Sequence, residues 1–228
     1  MPRKNSVIVF DIDGTLTDSI ASHQWAFERA LHSFGFPALR TDWASYRHHS
    51  DSAIFAEAWL DARFAGQPDT AALEMKFRSA FHEAMRSRPV KEIPGSSDFL
   101  AMLQSSEWAA CFATGSLRYG AIRKLEALSV PIDHDLLVTA SEHQTREDIV
   151  GAAIERAERK HAISEPQRIV SVGDGPWDLL TAQSLGLEFL GVAGGERAEV
   201  LRRQGAPVVP DLLQGMALLD LASPSAGR

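Results

Sequence analysis

The chain has 228 residues, 45% of them apolar and 23% charged, the balance of an ordinary globular protein and not of a disordered or fibrous one. That length supports one core, or a core carrying a smaller insert, without a disulfide or metal staple. A formal charge of −7 leaves no basic field to gather a polyanion, so nucleic acid is excluded as an expected partner. No apolar run nears the length of a bilayer span and no secretory apolar segment follows the first residues, so no membrane partner and a cytoplasmic location are expected.

The first apolar run, 7–10, is short and unbroken and leads straight into Asp11-Ile12-Asp13-Gly14-Thr15-Leu16-Thr17-Asp18. Runs of the same kind recur at 109–113, 136–140, 169–172 and 189–192, followed by helical periodicity. This order predicts an α/β fold whose parallel strands, buried on both faces, are joined by crossover helices. Ligands of such sheets sit at the carboxyl ends of the strands. Cys111, the single cysteine, falls inside one run and reads as a small core residue.

Between 18 and 89 no strand-like run occurs. Phe27, Ala30, Leu31 and Phe34 fall at i, i+3, i+4 and i+7, and Leu73, Phe77, Phe81 and Met85 repeat at fours, which predicts amphipathic helices. Ser50 is placed to N-cap a further helix through Ile54, Phe55, Ala58 and Trp59, with Gly66-Gln67-Pro68 to end it. The reading is an all-helical insert at 18–89, returning near Pro94-Gly95, and an α/β core made of 1–17 and 90–228. The tail 223–228 reads as disordered.

The chemistry-bearing residues cluster after the strands. Asp11 and Asp13, two apart and turned by Gly14, can converge on one ligand; a plain turn is the alternative. Asp174 and Asp178, in Gly173-Asp174-Gly175-Pro176-Trp177-Asp178, supply a second acidic pair, and with Asp11 they form the oxygen set that a hard cation such as magnesium prefers. Thr114-Gly115-Ser116, before a helical stretch at 118–128, offers a hydroxyl and free amides for an anion. Arg146, in Thr145-Arg146-Glu147-Asp148, can balance several acids and a phosphate in one pocket, or else pair with Asp148 on the surface.

These four pieces, in this order, resemble the haloacid dehalogenase-like hydrolase superfamily over nearly the whole chain, in the phosphatase-type branch with a helical cap that includes phosphoglycolate phosphatase and β-phosphoglucomutase-like proteins. The resemblance implies a Rossmann-like parallel sheet core with helices on both faces and an inserted all-helical cap domain. It implies a Mg2+-dependent phosphatase that hydrolyses a small phosphorylated metabolite through an aspartyl-phosphate. Asp11 would be the nucleophile and Asp13 the general acid and base, while Thr114 and Arg146 would hold the phosphoryl group with Gly115 and Ser116. The metal would take Asp11, Asp174, Asp178 and the main-chain oxygen of Asp13.

The family's third motif usually carries lysine where this chain has Arg146; Lys160 lies too far along its helix to replace it, and arginine keeps the charge. The stretch 113–125, which includes Lys124, resembles a branch in which arginine is acceptable. In the cap, the polar stretch Tyr46-Arg47-His48-His49-Ser50-Asp51, and within it Arg47, His48 and His49 first, supplies candidates for contacts to the leaving group. Asp13 argues against a true dehalogenase. A phosphomutase, sharing the same core residues, and a phosphonate hydrolase using Lys76, the lone lysine of the insert, remain as alternatives. A non-catalytic phospholigand-binding protein would be expected to lack Asp11, Asp13 or Asp174, and all three are present.

Overall fold

The computed structural model describes residues 2–218; the tail expected to be disordered lies outside them. In chain order the elements are β1 (Ser6–Phe10), β2 (Thr17–Asp18), α1 (Ile20–His32), α2 (Asp51–Asp61), α3 (Thr70–Ser87), β3 (Lys91–Glu92), α4 (Ser96–Gln104), β4 (Trp108–Thr114), α5 (Arg118–Leu125), β5 (Leu137–Thr139), α6 (Arg146–His161), β6 (Ile169–Gly173), α7 (Pro176–Ser184), β7 (Glu188–Val192), α8 (Gly195–Arg203), β8 (Val208–Val209) and α9 (Leu212–Leu218). Six strands form one parallel sheet in the order β5-β4-β1-β6-β7-β8. No helix among the described residues is long and apolar enough to cross a membrane.

Because side chains alternate along a strand, an unbroken apolar run feeds two cores. Ile8 and Phe10 join Phe112, Val172 and Leu190 under α4, α5 and α9, which contribute Phe99, Leu103, Leu125 and Leu212. Val7 and Val9 join Ala109, Cys111 and Val138 on the opposite face, covered by Ile149, Ala153 and Ala157 of α6. Cys111 is fully buried, and burial pushes its thiol pKa upward.

The helical insert leaves and returns through a two-residue antiparallel ribbon that pairs Thr17 with Glu92 and Asp18 with Lys91, slightly before the Pro94-Gly95 turn. Its three helices close on a cluster of their own around Phe27, Leu31, Phe55, Leu73, Phe77 and Phe81. Two local expectations are corrected. Helix α2 stops at Asp61, short of Gly66, because Arg63 adopts a left-handed backbone with φ 53°. Ser50 precedes α2, yet its hydroxyl does not cap it and instead donates to the Gln144 carbonyl of the core.

Candidate active site

The sheet order sets the site. Strand β1 lies between β4 and β6, the point from which crossovers leave in opposite directions, and such switch points open a crevice at the carboxyl ends. Asp11 follows β1 directly, Asp174 follows β6, Thr114 is the last residue of β4, and Arg146 opens α6 just beyond β5. These residues meet at the floor of a cavity of about 380 Å³, roofed by the helical insert.

Asp11 is 7% exposed, and its Oδ1 accepts a hydrogen bond of 3.1 Å from Arg146 Nη2. The same nitrogen donates to Asp178 Oδ1, so Arg146 ties two acids together and does not pair with Asp148. Its Nε is buried without a hydrogen-bond partner among the described residues. Asp178 Oδ2 accepts from the backbone N–H of Asp174 at 3.1 Å and of Gly175 at 3.0 Å, which fixes the carboxylate at the start of α7, where the helix dipole favours it. Asp174 is 2% exposed and accepts from Arg197 of α8.

One carboxylate oxygen each from Asp11, Asp174 and Asp178 lies within 4.8 Å of the others. Burial and then the neighbouring Asp178 push the pKa of Asp11 well above the usual carboxylate range. The same two causes raise Asp174 to about 7. Three buried carboxylates gathered this closely fit a hard divalent cation, which relieves both the repulsion and the desolvation. Gly14 supports the fit. Its φ is +84°, and a side chain there would collide with the Asp174 carboxylate, so only glycine lets the turn after β1 close on the acidic group.

Asp13 faces another way. Its Oδ2 accepts 2.6 Å bonds from both Lys124 Nζ and Ser116 Oγ, and its Oδ1 accepts 2.5 Å from Ser19 Oγ. Burial alone would raise its pKa, but the Lys124 ammonium and these hydrogen bonds outweigh it and hold Asp13 far below the ordinary value. Lys124 is fully buried. Its three donors go to Asp13, to Ser116 Oγ at 2.7 Å and to His23 Nδ1 at 3.0 Å, the full capacity of an ammonium. With Nδ1 accepting, the His23 proton sits on Nε2, 3.0 Å from Asp51 Oδ1. Asp51 Oδ2 accepts from Leu117 N at 2.9 Å. A polar chain thus runs from Asp13 through the core helix α5 into α1 and α2 of the insert.

The amides from Ser116 to Tyr119, at the start of α5, are occupied. Ser116 N donates to Thr114 Oγ1, Leu117 N to Asp51, Arg118 N to Ser141 Oγ and Tyr119 N to Glu74 Oε1. The reason is electrostatic: two insert carboxylates, Asp51 and Glu74, take the positive end of α5. Thr114, Gly115, Ser116 and His49 line the cavity, whereas Arg47 and His48 do not. The backbone N–H of Arg47 donates to Glu57 of the insert, which turns this part of the loop away from the crevice. Lys76 also lies outside the lining; its Nζ reaches the Ser33 carbonyl and sits over the Phe34 ring.

Lys124, His23, Arg197 and Trp177 were not singled out as site residues from the sequence. For Lys124 a signal existed. Ala121, Lys124, Leu125 and Leu128 fall at i, i+3, i+4 and i+7 and are all buried, so a lysine stands on the apolar stripe of its helix. His23 likewise heads the stripe of Ala26, Phe27, Ala30 and Leu31. A charged or titratable residue at a core position demands a partner.

Three acids and an arginine gathered at parallel strand ends beneath a helical insert define the class: the chain belongs to the haloacid dehalogenase-like hydrolase family, whose model matches residues 8–192. Among curated proteins it is similar to the tyrosine-protein kinase PtkA of Mycobacterium tuberculosis, 26% identical over 214 residues that cover 89% of this chain and 67% of that protein. Among solved structures it resembles a hydrolase from Pseudomonas syringae, with TM-score 0.71, 24% identity and coverage of 96% of this chain and 100% of that one. It also resembles CbbY from Rhodobacter sphaeroides, determined in complex with phosphate, with TM-score 0.58, 18% identity and coverage of 90% and 94%. Both structural likenesses speak for the shared fold.

Proposed function

We propose that this protein is a magnesium-dependent phosphatase that hydrolyses a small phosphomonoester through a phosphorylated Asp11. The observation that carries the reading is the division of the carboxylates into two environments two residues apart. Asp11 sits with Asp174, Asp178 and Arg146 where a cation and a phosphoryl group can be held, while Asp13 is turned to Lys124 and Ser116.

Asp11 would attack phosphorus in line, with Arg146 orienting its carboxylate and balancing charge that develops on the phosphoryl oxygens. Thr114 and the backbone at Gly115 border the same space, and a side chain at Gly115 would collide with the His49 carbonyl, so that approach needs glycine. Asp13, a carboxylate at rest, would relay the proton of a phosphomonoester monoanion to the departing oxygen and later take one from the hydrolytic water. Lys124, Ser116 and Ser19 would fix its direction throughout. Magnesium would be held by Asp11 and Asp174, with Asp178 and the main-chain oxygen of Asp13 beside them, and when bound it would neutralise charge on the transferring group. The helical cap over the cavity would limit water access during the phosphoenzyme stage.

A second reading is transfer of the same phosphoryl group to an acceptor other than water, and the relative named as a tyrosine-protein kinase favours it. The phosphonate alternative is weakened by Lys76, which does not line the cavity. The deciding experiment is release of inorganic phosphate from a panel of phosphomonoesters, with magnesium, with chelator and with Asp11→Asn. Magnesium-dependent release that falls by at least ~10³-fold in the variant supports the phosphatase. Substrate consumption without phosphate release would transfer the weight to the second reading.

A further inference from the structure

The cavity has two unlike halves. Its floor, from the core, is charged: Arg146 pairs with Asp11 and Asp178, and Arg197 with Asp174. Its roof, from the cap, sets rings and branched carbons beside a few polar groups, among them Gln24, Thr41 and Asp42. Phe27 and Trp43 stand 5.5 Å apart at 58°, beside Ile20 and Ile54. Across from them His49 packs on Trp177 of the core at 5.4 Å.

Among the described residues that line the cavity, the cap supplies no lysine or arginine, and its exposed acid is Asp42. His23 is occupied on both nitrogens by Lys124 and Asp51. His49 carries no reserve of positive charge either, since burial and then Arg146 depress its pKa. The cap arginine nearest in sequence, Arg40, is spent on Glu57 and Asp61 and lies over the Tyr46 ring.

A second phosphate or a carboxylate on the leaving group would enter this roof without a counter-ion and would face Asp42, which costs both desolvation and repulsion. A polyhydroxylated sugar would find Gln24, Thr41 and Asp42 for some of its hydroxyls and would forfeit hydrogen bonds for those set against the rings. A flat apolar group would bury its surface against them at about 25 cal/mol per Å², and the cavity's size is at the small end of ligand pockets. We infer, on top of the phosphatase reading, that the substrate is a single-phosphate ester of a small apolar, preferably aromatic, alcohol, selected by Trp43 and Phe27 and guarded against a second anion by Asp42.

The test uses the full chain with magnesium and four compounds. Benzyl phosphate, glucose 6-phosphate and fructose 1,6-bisphosphate are all esters of primary alcohols, so their intrinsic reactivities are close; acetyl phosphate needs only the core residues. Benzyl phosphate is expected to exceed the other two esters in kcat/KM by about tenfold or more. Trp43→Ala, checked for folding by circular dichroism, shrinks that preference mainly through KM. Asp42→Lys, at an exposed position that does not depend on the Trp43 variant folding, raises kcat/KM for the bisphosphate by about fivefold. If acetyl phosphate is hydrolysed but glucose 6-phosphate or the bisphosphate equals benzyl phosphate, or if neither substitution changes the ratios, the assigned substrate class is overturned while the phosphatase stands. If acetyl phosphate gives no magnesium-dependent release, the phosphatase reading falls and the substrate class with it.

Discussion

Lys124 carries the sharpest residue-level consequence. It is a fully buried ammonium whose three donors are spent on Asp13, Ser116 and His23, so its loss strands a buried carboxylate. Breaking a pair of this kind by removing one partner costs about 3–5 kcal/mol, whereas removing both costs much less. Lys124→Met is therefore expected to lower stability in urea unfolding by about 3 kcal/mol. Adding Asp13→Asn to that variant should recover most of the stability and none of the turnover. If the double variant is as unstable as the single one, the ammonium serves the packing of α5 and not the direction of Asp13.

Gly14 is a second single-residue test. Gly14→Ala combines a positive φ with a methyl group pressed onto Asp174. It should cost about 1–2 kcal/mol in stability, and it should weaken the response of activity to magnesium more than it weakens the fold. A magnesium titration of phosphate release alongside thermal unfolding separates the two effects.

At the level of elements, the informative contact is the docking of two cap carboxylates on the start of α5. Glu74 of α3 accepts from Tyr119 N at 2.8 Å and from Ser141 Oγ at 2.6 Å, and Asp51 of α2 accepts from Leu117 N. These charge-assisted bonds tie the helical insert to the start of α5. Glu74→Ala should leave overall unfolding within about 1 kcal/mol of wild type but loosen the closed cap. Faster proteolytic nicking near residues 89–95 and a several-fold rise in KM are the expected results. Unchanged nicking would mean that the apolar contacts of Leu117 and Tyr119 with the cap cluster hold it closed without these bonds.

For the whole molecule, the acidic group links metal, pH and stability. The Asp174 carboxyl, raised to about 7 by burial and Asp178, binds its proton more tightly in the folded chain than in the unfolded one, where aspartate titrates near 3.8. The stability this gives is complete below the unfolded value and is lost as pH rises through the folded one. With chelator present, Tm should fall between about pH 5 and pH 8. Saturating magnesium at pH 8 should restore stability, by about 2.7 kcal/mol at a hundredfold excess over Kd. The restoration should vanish in Asp174→Asn. A flat Tm profile without metal would indicate that Arg197, which pairs with Asp174, already neutralises the site.

Local rules made part of the fold readable from the chain. Short unbroken apolar runs followed by helical periodicity fit strands buried on both faces, and acids or a Thr-Gly turn directly after such runs fall at the rim where parallel strands end. The runs at β1, β4, β6 and β7, the helical insert and the family resemblance were all legible on that basis. Tertiary structure alone decided which partner each charge finds. Arg146 reaches Asp11 and Asp178, 135 and 32 positions away, and Lys124 reaches Asp13 across 111, because the sheet order brings β1, β4 and β6 side by side. At the start of α5, Leu117 N and Tyr119 N find Asp51 and Glu74 of the helical insert for the same reason: an end of a helix is satisfied by whichever group folding delivers to it, and spacing along the chain does not carry that information.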